Sequence, residues 1–165
     1  MSINEDRLDE LIETATTDIG AIAYAPLATI GDRLGLYDTI AEHGPLTPRE
    51  LADRTDTAER YVREWLAASA ASDYVSYDPE TERYSLSPEQ AYLLADTDGP
   101  ASPLAGLFQL AVAAGKAAPE IERAFRTGEG VGWHEHDEAL FEGMKRASEN
   151  DFKESLVPDW IPAMG

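Results

Sequence analysis

Apolar residues recur at intervals of three and four over most of this chain, and at intervals of two in one place. From Asn4 to about Leu34, Leu8, Leu11, Ile12, Ala15, Ile19 and Ile22 mark one face of a helix. Between Ile19 and Ile30 the stretch IGAIAYAPLATI is apolar nearly all round, and Pro26 within it predicts a kink or interruption. A helix without a polar face is buried on several sides, and for a chain this small a partner subunit is the expected source of that cover. Gly35 breaks the pattern, and Leu36 to His43 predicts a short helix stopped by Gly44-Pro45. Thr47, Pro48 and Glu50 have the order of a capping box, which starts a helix with Leu51 and Ala52 facing inward. Thr55-Asp56-Thr57 reads as a turn, with Thr57 capping a helix whose apolar face carries Tyr61, Val62, Trp65 and Leu66. The small residues from Ala67 to Ala71 let that helix pack closely. Val75-Ser76-Tyr77 and Arg83-Tyr84-Ser85-Leu86 then alternate at period two around Asp78 to Glu82, the signature of a hairpin.

Further on, Ser87-Pro88 caps a helix over Glu89 to Leu94, and Asp98-Gly99-Pro100 reads as a loop. Ala101 to Arg126 is helical, with a break near Gly115 or Ala118-Pro119, and Thr127 to Gly132 is a flexible linker. From about Glu135 to Met164, Leu140, Phe141, Met144, Ala147, Phe152, Leu156 and Trp160 keep helical spacing, interrupted by Pro158 and Pro162. The order helix, helix, helix, hairpin over Pro45 to Leu86 is that of a winged helix-turn-helix. The expected fold class is therefore mainly α with a small β-hairpin, a winged helix flanked by N- and C-terminal dimerisation helices. Its expected parts are residues 1–34, N-terminal helices; 35–97, the winged helix; and 98–165, a helical arm.

Composition changes this picture in three ways. The chain has 165 residues, 43% of them apolar, which is enough for one domain with a real core. It has no cysteine, which excludes disulfides, zinc knuckles and thiol nucleophiles. The N-terminus MSINEDRLDEL does not have the form of a secretory signal, and the longest apolar run, Leu104 to Ala114, falls short of the ~20 residues of a membrane span. A soluble, cytoplasmic protein is the simplest expectation. Thirty-two acidic residues against 13 basic ones leave a net charge of −19, with a pI near 4.3. The acid is spread over every segment rather than gathered in a tail. Such a surface repels itself until the Debye length shrinks to ~3 Å near 1 M salt, so the composition points to a halophile-like, salt-rich cytoplasm.

Charge also bears on the winged helix. A DNA-reading helix over Thr57 to Ser72 would present Arg60 and Arg63, but Glu59 and Glu64 cancel them, and the hairpin adds Asp78, Glu80 and Glu82 against Arg83. Affinity for DNA rests on neutralising phosphates and falls steeply with salt. The favoured use of this winged helix is as a packing and dimerisation scaffold. The alternative is a transcriptional regulator binding DNA or a protein partner as a dimer, with Arg60 and Arg63 as the DNA contacts. The run His134-Glu135-His136-Asp137-Glu138 offers five metal-binding side chains, yet only His134 and Glu138 have ligand spacing, so no metal is expected. Gly128-Glu129-Gly130-Val131-Gly132 follows an amphipathic helical turn rather than a strand, unlike a phosphate-cradling loop. No catalytic set is expected from spacing.

The segment LATIGDRLGLYDTIAEHGPLTPRELADRTDTAERYVREWLAASAASDYV, with YSLSPEQAYLLAD and WHEHDEALFEGMKRASENDFKESLVPDWIPAMG, resembles the N-terminal domain of class I S-adenosylmethionine-dependent methyltransferases of the small-molecule O-methyltransferase type. The resemblance covers most of the chain from Ala28 onward. It implies an intertwined homodimer and a domain that helps wall a small-molecule substrate pocket. It also implies S-adenosylmethionine as cofactor of the full-length protein, bound by a Rossmann-like catalytic domain absent from this chain. By itself the chain is then expected to be inactive and to hold no cofactor. By the same resemblance Phe141, Met144 and Ser148 face the pocket, with Trp133 and His134 near it, while ordinary core packing on one helix face is the favoured reading of Phe141 and Met144. Asp56 stands at a corner where glycine is common.

Overall fold

A computed structural model describes residues 3–95, 102–156 and 160–164. The first helix, α1 (Glu5–Arg33), is capped by the Asn4 side chain, whose Oδ1 accepts from the Arg7 backbone N–H at 3.0 Å. Of the kink or interruption expected at Pro26, the interruption does not occur, and α1 continues through it. The Ile22 carbonyl, which loses its usual donor to the proline, belongs to an exposed residue where water can replace that donor. Only the last turns of α1 reach the protein's own core, through Tyr24, Ala25, Ala28, Thr29 and Gly31, while residues 5–23 are exposed throughout.

Helix α2 (Leu36–His43) lies between Gly35 and Gly44, both at positive φ (63° and 74°), a conformation open to glycine at little cost. Helix α3 (Pro48–Thr55) starts from the expected capping box: the Glu50 N–H donates to Thr47 Oγ1, and the Thr47 N–H donates to Glu50 Oε2 at 2.8 Å. It ends at Asp56, which takes the left-handed conformation (φ 50°, ψ 45°) that the turn requires of a non-glycine corner. Helix α4 (Glu59–Ala71) has Ala58 at its N-cap position and no side-chain cap, so Thr57 does not cap it. The Thr57 hydroxyl lies 2.8 Å from that of Thr55 instead and ties the turn together. Tyr61 is 76% exposed, so it does not belong to the buried face of α4. That face is Val62, Trp65, Leu66 and Ser69, and Tyr61, about 90° around the helix from its centre, points outward.

The hairpin pairs β1 (Ser76–Asp78) with β2 (Arg83–Ser85) in antiparallel register, Tyr77 opposite Tyr84. Leu46 adds a bridge on the far side of β2, exchanging two backbone hydrogen bonds with Tyr84. The core gathers Leu36, Tyr37, Ile40, Leu46, Leu51, Val62, Trp65, Leu66, Val75 and Leu94. Within it, Trp65 Nε1 donates to the Leu27 carbonyl at 2.8 Å, and the Tyr24 hydroxyl bridges those of Tyr37 and Ser69. Burial pushes both phenols up in pKa, so they stay neutral and act only as hydrogen-bonding groups.

Helix α5 (Pro88–Leu94) carries a second capping box, Ser87 with Gln90. The long helical stretch that follows divides at Ala117 into α6 (Pro103–Lys116) and α7 (Ala118–Thr127). A short 3₁₀ turn, Trp133–Glu135, precedes α8 (Glu138–Ser155), and α9 (Ile161–Met164) follows. Pro162 sits in the first turn of α9, where a proline is tolerated, and so does not interrupt a helix. The expected interruption at Pro158 and the loop at Asp98-Gly99-Pro100 lie outside the described residues. The architecture is mainly α with a small two-stranded wing, and no described helix is long and apolar enough to cross a membrane.

Candidate functional site

The arm formed by α6 and α8 carries an open apolar groove near the C-terminal end of the described chain. Its geometry starts from two glycines. A Cβ on Gly106 would lie 2.7 Å from the Ala147 backbone nitrogen, and one on Gly143 would lie 2.7 Å from that of Leu110. Backbone therefore meets backbone where α6 crosses α8. Three polar contacts set the remaining degrees of freedom. Lys116 Nζ donates to Asp137 Oδ2 at 2.8 Å, and Asp137 Oδ1 in turn accepts from the Ala139 N–H at the start of α8. Gln109 donates to the Ala139 carbonyl and to Glu142. Arg146 holds Asp32, at the end of α1, with both Nη atoms at 2.7 Å, a fork-shaped pair in a largely buried position.

With Gly143, Arg146 and Ala147 turned toward α6 and α1, the opposite face of α8 is left open. Phe141, Met144, Lys145, Ser148, Glu149, Phe152 and Leu156 line a groove there of about 760 Å³. The structure thus brings together three of the five pocket residues expected from the resemblance: Phe141, Met144 and Ser148. Trp133 is exposed and packs edge-on against Phe141, with ring centroids 5.0 Å apart. His134 is exposed in the 3₁₀ turn and does not line the groove. The Ser148 hydroxyl donates to the Met144 carbonyl of its own helix at 2.8 Å. Lys145, Glu149, Phe152 and Leu156 were not anticipated as lining residues. The i+4, i+8, i+11, i+15 spacing from Phe141 would have found them. Chemically the groove is a hydrophobic shelf edged by one cation and one carboxylate, suited to holding an apolar body rather than activating it.

The other sequence candidates are spent locally. The Glu135 carboxyl is held below its usual range by the Gly132 N–H, with Arg123 3.6 Å away, and Asp137 is held low by Lys116. Among the described residues, no group of three His, Asp or Glu side chains converges as a metal would require. Gly128 ends α7 at φ 76°, so the glycine run begins as a helix cap. On α4, Arg60 is exposed and Arg63 pairs with Glu59 at 2.6 Å. On the wing, Arg83 turns back to the Pro45 carbonyl and to Glu50, and Asp78 accepts from Thr81 and the Glu80 N–H.

Comparison with known proteins agrees with the fold. Residues 21–96 match the family model described as the Rv2258c-like winged HTH domain. This segment is similar to that domain and has the fold of a winged helix-turn-helix. No curated protein matches the sequence. Among solved structures, the mitomycin 7-O-methyltransferase MmcR superposes with a TM-score of 0.67 at 22% identity, over 90% of this chain and 46% of its own. CalO1, a methyltransferase in calicheamicin biosynthesis in its SAH-bound form, gives 0.59 at 24% identity, over 91% and 47%. Human N-acetylserotonin methyltransferase in complex with SAM gives 0.61 at 17%, over 90% and 44%. At these identities the likeness is one of fold. The chain spans less than half the length of each of these structures.

Proposed function

We propose that this chain is the N-terminal dimerisation and substrate-lid domain of an S-adenosylmethionine-dependent methyltransferase acting on a small molecule, in a salt-rich cytoplasm. The observation that carries the reading is the fold match: about nine-tenths of the chain superposes on methyltransferases roughly twice as long. The matched part therefore includes the α6–α8 arm as well as the winged helix. In this reading the methyl-transfer chemistry belongs to a Rossmann-like unit, which the described residues do not form, since their one sheet is the two-stranded wing. S-adenosylmethionine is the cofactor of the full-length enzyme, and this chain contributes the apolar wall of α8 and a dimer through its flanking helices. The predominantly apolar lining of the groove, through Phe141, Met144, Phe152 and Leu156, supports a wall for an apolar substrate. The acidic wing and the charge-paired α4 support a winged helix without a nucleic-acid partner.

Static light scattering in 1 M KCl should give a dimer, and calorimetry with S-adenosylmethionine should show no binding to residues 1–165. A clean monomer, or micromolar cofactor binding by this chain, would overturn the corresponding half of the proposal. A mobility shift with genomic fragments in high salt, lost on Arg60→Glu with Arg63→Glu, would replace the reading with that of a DNA-binding regulator.

A further inference from the structure

Helix α1 runs about 40 Å, and its first nineteen residues are all exposed. A solvated helix of that length is marginal in water unless something covers its apolar side. At about 100° per residue, the covered and uncovered sides are centred on opposite faces. Tyr24, Ala25, Ala28, Thr29 and Gly31 face the chain's own core. Leu8, Ile12, Ala15, Ile19, Ala23, Pro26 and Ile30 form a straight stripe on the opposite side, and all seven are exposed.

The stripe is symmetric about Ile19. Leu8 and Ile30 stand eleven residues to either side, Ile12 and Pro26 seven, and Ala15 and Ala23 four. Charge is distributed differently. Glu5, Asp6, Asp9, Glu10, Glu13 and Asp18 against Arg7 leave residues 5–18 at −5, whereas residues 19–31 carry no charge. We infer that α1 is a self-complementary seam, pairing antiparallel with α1 of a second copy across a two-fold axis at Ile19. Antiparallel pairing lays each acidic half along the partner's uncharged half, while parallel pairing would set two −5 segments side by side. A two-fold interface places the same patch on both copies, which a palindromic stripe satisfies by construction. Covering both stripes would remove on the order of 1,000 Å² from water, the lower bound for a specific interface. With −19 on each chain, the seam closes as salt rises.

This inference rests on the dimer reading above and adds its axis, its direction and its dependence on salt. The absence of native cysteine makes the test clean. In 1 M KCl under mild oxidant, Ile19→Cys should form a disulfide-linked dimer, since an axial residue meets its own copy within the ~4–7 Å between Cα atoms that a disulfide spans. Leu8→Cys should stay unlinked, because its two copies would lie ~33 Å apart, yet it should link to Ile30→Cys when the two variants are mixed. All three side chains are exposed, and circular dichroism checks that the variants fold. Self-linking of Leu8→Cys as fast as that of Ile19→Cys would overturn the antiparallel direction. A dimer by light scattering with none of these links would overturn the seam while leaving the dimer standing. A monomer at every salt concentration would overturn the dimer reading itself, and a dimer equally tight at 0.05 and 1 M KCl would overturn the salt dependence alone.

Discussion

Replacing Gly143 by alanine tests whether the α6–α8 crossing is set by backbone contact. The new Cβ would lie 2.7 Å from the Leu110 nitrogen and 2.8 Å from the Gly106 carbonyl oxygen. Those obstacles are backbone atoms of a regular helix, so no side chain can swing aside; α6 and α8 must separate by more than half an ångström. Overpacking of this kind costs ~1–3 kcal/mol, and backbone obstacles place it at the upper end. The exchange also gains ~1 kcal/mol of intrinsic helix propensity, leaving a net loss of about 2 kcal/mol. For a chain of this size that lowers the melting temperature by ~4–8 °C. Gly115→Ala, on the same α6 helix, is the control: its Cβ would meet nothing within 4 Å. It should raise the midpoint by a degree or more through propensity alone. Thermal melts followed by far-ultraviolet circular dichroism in 1 M KCl read both variants. A Gly143→Ala protein melting at or above the parent would refute the reasoning, because propensity would then outweigh a contact that does not exist.

Arg146→Met leaves Asp32 without the fork that holds it and should cost about 2 kcal/mol in urea unfolding. Arg146→Lys should recover less than half of that, since an ammonium cannot make two parallel bonds, and equality with the parent would remove the case for a bidentate clasp. Glu50 is held near a pKa of about 2, against an ordinary 4.5, by the Thr47 backbone N–H and by Arg83. A depressed carboxyl contributes stability above its unfolded pKa and loses it as pH falls through the folded one. The urea midpoint of Glu50→Gln should therefore lie below the parent's at pH 7, and the two should converge between pH 4.5 and 2. A gap that stays constant over that range would show that the carboxylate charge is not what ties the wing to α3.

Local signals carried the fold. Capping boxes at Thr47 and Ser87, glycines at 35 and 44, and the period-two run at Val75 to Leu86 each act through neighbouring backbone atoms, so the sequence alone determined where α2, α3, α5 and the wing begin and end. The corner at Asp56 was legible for the same reason. Where local rules misled, a nearby geometric detail intervened: Pro26 stayed inside α1 because the carbonyl it strands is open to water, and Tyr61 left the core by a single step of helical phase. The groove was half legible. Phe141, Met144 and Ser148 came from a resemblance, but helical spacing could not say which of α8's faces would be covered. Only the tertiary structure decided that, through contacts between residues far apart in the chain. Gly106 against Gly143 and Arg146 against Asp32 turn one face inward and leave the apolar shelf outward, because two helices can approach backbone to backbone on one side only.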